Sequence, residues 1–185
     1  SDLIAECDDS CELSMLERLV DTYIKYNCIY AFSRSMVIDS KGEKQYISQR
    51  HFKTDIHLNG DEFIRKFLCI SNTVRNASSA IFSKKAALSI DKDFMTYNES
   101  GDWMFWMEMA RLGNVAVISS PLNFFRQYPE TNTSRASKKG LTDIEDKRIF
   151  DYMIANKLIS NNKIFIKQKR MAKKLLFYNA YENEE

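Results

Sequence analysis

The sequence predicts an α/β fold, and three observations carry that expectation. The apolar run Leu3-Ile4-Ala5 leads straight into Glu6, Asp8 and Asp9, the pattern of a buried strand that ends by aiming acids out of a sheet edge. An amphipathic helical pattern follows and gives way to the strand-like run Ile29-Tyr30-Ala31-Phe32. Only five Gly and two Pro occur in 185 residues, which argues against a many-turned all-β chain.

The elements follow in order. Glu12 to Asn27 reads as a helix, with Leu13, Leu16, Leu19, Val20, Tyr23 and Ile24 at helical spacing and Glu17, Arg18, Asp21 and Lys25 outward. Cys28 to Asp39 is strand-like, and Asp39-Ser40-Lys41-Gly42 is a turn signal. Glu43 to Asn59 is polar with scattered aromatics and reads as a surface loop or irregular hairpin. Gly60 to Cys69 reads as a short helix with Phe63, Ile64, Phe67 and Leu68 inward. Asn72 to Phe82 is extended, and Ser83 starts a helix through Leu88. Asp102 to Leu112 is the most apolar helix, buried nearly all round and stopped by Gly113. Val115 to Ile118 and Leu122 to Arg126 read as two strands. Pro129 to Gly140 is polar and reads as a linker. Helices are then expected over 141–157 and 161–181. The division that results is a domain over 1–135 and a linker with a helical C-terminal extension over 136–185.

The totals bound the function. An apolar fraction of 44% makes the chain globular, with length for one domain and a substantial core. A net charge of +2 is too balanced for nucleic acid as the main partner. No run of 18 apolar residues suggests a membrane span, and no signal-peptide pattern is visible. Cys7, Cys11, Cys28 and Cys69 fit no zinc template with His51 or His57, so free thiols in a reducing cytoplasm are expected. The chain opens on Ser1 inside an expected core strand, which suggests a fragment and an apolar surface prone to self-association.

The acidic run has two readings. It is an acidic strand-to-helix turn in which Asp9 or Ser10 caps the next helix. Or its close like charges are balanced by a divalent cation such as Mg²⁺, which takes one or two protein carboxylates and completes its shell with water and phosphate. Asp102 likewise stands where an N-cap belongs, directly before the apolar helix.

Four stretches in order bear on that choice: Ile4-Ala5-Glu6-Cys7-Asp8-Asp9-Ser10-Cys11, Asn76-Ala77-Ser78-Ser79-Ala80-Ile81-Phe82, Gly101-Asp102-Trp103-Met104-Phe105-Trp106 and Pro121-Leu122-Asn123-Phe124-Phe125-Arg126-Gln127-Tyr128. Together they resemble a family 2 glycosyltransferase of the GT-A fold over about Leu3 to Ser134. The resemblance implies the C-terminal part of that fold's mixed sheet flanked by helices, without the half that holds base and ribose. Three positions depart from the family pattern. Glu6 stands where Asp usually opens the acidic motif, Gly101 where Glu usually precedes the base, and Tyr128 where a metal-binding His is frequent.

The resemblance implies inverting sugar transfer from a nucleotide-diphosphate donor to a hydroxyl of a glycan or lipid-linked acceptor. Asp8, with Glu6 and Asp9, would hold Mg²⁺ or Mn²⁺. Asp102 would be the catalytic base, and Arg126 would meet the donor diphosphate. Asn76, Ser78 and Trp103 are acceptor-side candidates. Asn76 and Ser78 equally suit backbone satisfaction in a tight strand, and Trp103, with Trp106, equally suits the core. The alternative function is a non-catalytic glycan- or protein-binding module derived from such an enzyme. The C-terminal stripe Ile164, Met171, Leu175 and Tyr178 among lysines reads as a solvated helix face, a partner-docking face, or a contact with the inner face of the membrane for a cytoplasmic enzyme.

Overall fold

A computed structural model describes residues 1–128 and 141–160, with side chains in the second stretch described from residue 144 onward. The expected linker and the expected last helix, with its membrane or partner readings, lie outside the described residues. The fold is α/β. A seven-stranded mixed sheet runs in the order β1 (Asp2–Leu3), β6 (Ala80–Phe82), β3 (Cys28–Ile38), β7 (Asn114–Arg126) and β2 (Ser10–Cys11). The remaining two of the seven lie off this path: β4 (Lys44–Ile47) pairs with β3, and β5 (Ile56–Asn59) pairs with β7. Among the described residues only β3 and β7 run parallel.

Strand alternation builds two cores. Tyr30, Phe32, Ala80, Phe82, Val115 and Val117 face one side of the sheet, while Ala31, Ile81, Ala116 and Ile118 face the other. Helix α1 (Met15–Lys25) covers the second side with Met15 and Leu19. The first side is covered by α2 (Gly60–Phe63) and its π-helical continuation Ile64–Leu68, by α4 (Gly101–Ala110) and by α5 (Leu141–Ala155). Helix α3 (Lys84–Ser89) follows β6, and the Ser83 hydroxyl accepts the Ala86 N–H as its N-cap. As its composition predicts, α4 buries Trp103, Met104, Trp106, Met107, Met109 and Ala110. Among the described residues no helix is long and apolar enough to cross a membrane.

Several expectations need correction. The opening strand is not buried: β1 is short and marginal, and Ile4 is 51% exposed. Among the described residues it pairs with β6 alone. Residues 43–59 contribute two strands and bury Phe52 in the core, so the polar majority there masks two half-buried edges. The two strands expected over 115–126 are one. β7 bulges against β3, where Ser33 pairs with Ile118 but Arg34 pairs with Pro121.

The half-buried Arg34 and the exposed Asp55 satisfy the backbone freed by this bulge. The Arg34 guanidinium donates to the carbonyls of Ser48 (3.2 Å), Phe52 (3.3 Å) and Ser119 (3.3 Å), and Asp55 accepts from the Ser119 N–H at 2.8 Å. Pro121 suits the bulge because it has no N–H to offer a ladder. Past the bulge, β7 brings Asn123 and Arg126 alongside the acidic loop.

Candidate functional site

The acidic loop joins β1 to β2. Its turn is closed by the Asp9 N–H donating to the Glu6 carbonyl at 3.3 Å. Neither Asp9 nor Ser10 caps a helix: Ser10 lies in β2, and α1 begins after Ser14. The turn instead gathers Glu6, Asp8 and Asp9, so that one carboxylate oxygen from each lies within 4.8 Å of the others. Glu6 and Asp8 are exposed and Asp9 is half-buried.

Residues remote in sequence hold this loop. Asp9 Oδ1 accepts the backbone N–H of Arg126 at 3.0 Å, and Asp9 Oδ2 accepts the side-chain amide of Asn76. The Arg126 guanidinium donates from Nε to the Asp8 carbonyl at 3.0 Å and from Nη1 to the Asp39 carbonyl at 2.7 Å. Ser78 Oγ accepts the Glu6 N–H at 3.0 Å. Asn76 and Ser78 are both buried. Of their two expected roles, the contacts are those of residues that satisfy and orient the acidic loop.

Charge at the site is concentrated. Glu6 is pushed above the usual carboxylate range, first by desolvation and then by the charges of Asp9 and Asp8. The Ala77 backbone N–H opposes the shift, and the Asp102 charge adds to it. The fold brings Glu6, Asp8 and Asp9 together, and the Asp102 charge reaches Glu6 as the smallest of these effects. A divalent cation fits this donor set chemically. It is all oxygen, it is partly exposed, and its crowded negative charge has its two best-held oxygens fixed by N–H donors that leave lone pairs free.

Asp102 lies one residue inside α4 rather than at its cap. Its Oδ1 accepts the Trp103 N–H at 2.7 Å, and its Oδ2 accepts the Asn72 amide at 2.8 Å. The carboxyl is open to solvent, yet the protein packed around it raises its pKa. The Trp103 N–H, the Asn72 amide and the Arg75 charge oppose that rise.

Gly101 has a steric reason. A Cβ there would stand 2.7 Å from the Phe94 carbonyl oxygen. A side chain at this position needs that carbonyl to shift. An acid nevertheless reaches the same segment from α5. Glu145 is buried and accepts the backbone N–H groups of Asn98 (2.7 Å), Glu99 (3.0 Å) and Ser100 (2.9 Å). Burial raises its pKa, but these donors together pull it below the ordinary value.

Trp103 belongs to the core. It is 3% exposed, its indole N–H donates to the Leu68 carbonyl at 2.8 Å, and its ring packs edge-on against Phe150. It offers no open face to an acceptor. Tyr128, by contrast, is 47% exposed. Among the described residues no disulfide forms: Cys7 and Cys11 are exposed, Cys28 and Cys69 are buried, and the Cys69 thiol donates to the Arg65 carbonyl at 2.8 Å.

The sequence reading missed Ser35, Asn72, Asn123 and Glu145. Asn123 had a local signal, since it is a polar residue inside the apolar run Leu122–Phe125, whereas Ser35 is the last of the polar triplet Ser33-Arg34-Ser35 and had none. Asn72 and Glu145 had none. No family model matches the chain, and no curated protein matches it either.

Proposed function

We propose that the acidic loop and Asp102 form the metal–diphosphate and acceptor side of an inverting glycosyltransferase of the GT-A type, acting on a nucleotide-diphosphate sugar. The observation that carries the reading is the convergence of Glu6, Asp8 and Asp9 within 4.8 Å, with the Asp102 carboxylate near enough to raise Glu6. The order of the four sequence stretches supports it, as does the mixed sheet to which three of them contribute strands.

On this reading Glu6, Asp8 and Asp9 hold Mg²⁺ or Mn²⁺, which supplies Lewis acidity toward the leaving diphosphate. Asp102 takes the proton of the acceptor hydroxyl as that oxygen forms its bond to the anomeric carbon. The bond from that carbon to the diphosphate oxygen breaks, and the nucleoside diphosphate leaves with the electron pair. The raised pKa of Asp102 moves it toward a proton acceptor matched to neutral pH. Asn72 and the Trp103 N–H aim its carboxylate. Arg126 clamps the loop through the Asp8 and Asp39 carbonyls, so its first role is to hold the acids, with the diphosphate as a further partner.

The test is turnover of a panel of nucleotide-diphosphate sugars by the natural polypeptide carrying these residues, with Mn²⁺ or Mg²⁺ supplied. Transfer that needs the cation and is lost in Asp8→Asn supports the reading. Absence of transfer and of donor hydrolysis across the panel defeats it.

A further inference from the structure

Beneath the acidic loop lies a buried polar relay. Asn76, Asn123 and Ser35 are all buried. Ser35 Oγ donates to Asn76 Oδ1 at 3.3 Å, and Asn123 Nδ2 donates to the same oxygen at 2.9 Å and to Ser35 Oγ at 3.1 Å. The direction of the relay is forced. A carboxylate only accepts, so Asn76 must turn its NH₂ toward Asp9. Asn76 Oδ1 then points backward and demands donors, which Asn123 and Ser35 provide. One atom pays for this polarity: Asn123 Oδ1 is left buried without a hydrogen-bond partner, on a side chain 1% exposed.

Leaving a buried acceptor unmade typically costs about 1–3 kcal/mol, so its presence asks for a reason. Asn123 borders the same small hollow as Glu6, Asp9 and Ser78. A hydrated cation at the carboxylates is a source of the missing donor, because such cations keep several waters.

We infer that Asn76, backed by Asn123 and Ser35, is a positioning residue that sets the direction of the Asp9 carboxylate and thereby the cation affinity of Glu6, Asp8 and Asp9. The inference rests on the proposed metal-assisted reading. Asp9 is fixed on one oxygen by the Arg126 backbone N–H and on the other by Asn76. Without the second contact it rotates about the first. Partners of metal-binding carboxylates contribute typically about 10–100-fold to affinity.

The experiment is Mn²⁺ binding to the full chain, read as free Mn²⁺ by electron paramagnetic resonance, with and without inorganic diphosphate. Asn76→Leu keeps the side chain's approximate shape and removes the donor. It is expected to weaken Mn²⁺ binding about 10–100-fold. Asn123→Ala cuts the relay without touching Asp9, and a smaller weakening of at least about threefold is expected, below the roughly 10–100-fold typical of a direct partner because Asn123 acts on Asp9 only through Asn76. Ser79→Ala removes a buried hydrogen bond to the Asn76 carbonyl (2.8 Å) and serves as the control for mere loss of structure. It should leave Mn²⁺ affinity unchanged.

If the unaltered chain binds Mn²⁺ but neither relay variant weakens it, the positioning role is wrong and the metal reading stands. Equal weakening by Ser79→Ala also overturns the positioning role. If the unaltered chain binds no Mn²⁺ even with diphosphate present, the metal reading falls and takes this inference with it. Should Asn76→Leu fail to fold, Asn123→Ala decides by the same criterion.

Discussion

Glu145 offers the sharpest test of how the candidate base is held in place. The carboxylate reaches from α5 to the segment Asn98–Ser100 that leads into α4. Oε1 takes the Asn98 backbone and side-chain N–H groups, and Oε2 takes the N–H groups of Glu99 and Ser100. Glu145→Gln keeps the volume and one oxygen but places an NH₂ against the remaining N–H donors. At least one pair of charge-assisted contacts is lost, and the expected cost is about 2–4 kcal/mol, from roughly 1–3 kcal/mol per orphaned group. For a chain of this size that lowers Tm by roughly 5–15 °C.

The pH dependence has a definite sign. The folded-state pKa lies below the ordinary 4.5, so the unfolded chain binds this proton first as pH falls. The contribution of Glu145 is therefore complete above the unfolded value and is lost as pH drops through the depressed folded one. Denaturation followed by circular dichroism at neutral pH and across the acid range reads both effects. Glu145→Gln should lie below the wild type at pH 7 and show a shallower loss on acidification. Equal Tm at pH 7 together with an unchanged acid profile would refute the capping role.

Other consequences follow from single contacts. Gly60→Ala should abolish stable folding, because a Cβ there would stand 1.5 Å from the Ala110 carbonyl oxygen, far inside the overpacking that costs about 1–3 kcal/mol; a soluble variant with native Tm would contradict the packing of α2 on α4. Gly101→Glu places its Cβ 2.7 Å from the Phe94 carbonyl and should cost about 1–3 kcal/mol by chemical denaturation, without gaining activity. Asp102→Asn, in the natural polypeptide, should slow transfer by at least about a hundredfold. It should also cost about 1 kcal/mol, since one amide cannot accept from both Trp103 and Asn72; near wild-type turnover would remove Asp102 as the base. Arg126→Lys leaves one compact ammonium where a fork spans the Asp8 and Asp39 carbonyls, so amide hydrogen exchange over residues 6–11 should quicken several-fold, and unchanged protection would show that the loop holds itself.

What the sequence determined by itself is local. The helical spacing of Leu16, Leu19, Val20 and Tyr23 signals α1, because a helix needs apolar residues on one face every three to four positions, but the face it buries is that of Met15 and Leu19, and Leu13, Leu16 and Ile24 of the expected inward stripe are exposed. The alternation through Tyr30-Ala31-Phe32 specifies a strand, and the acids at 6, 8 and 9 and at 102 stand out locally as candidates that a turn or a helix cap equally explains. The tertiary structure decided everything that depends on a partner far along the chain. Ser119-Ser120-Pro121 looks like a break between strands. It becomes a bulge only because Arg34 and Asp55 satisfy its backbone, 85 and 64 residues away. Glu145 reads as one more acid on a helix until α5 carries it across 45 to 47 residues to the entry of α4. Asp9 reads as a cap until Arg126, 117 residues on, and Asn76, 67 residues on, take its two oxygens. Periodicity records which side of an element is buried. It carries no information about which donor, among those brought together by register and bulge, a buried acceptor will meet.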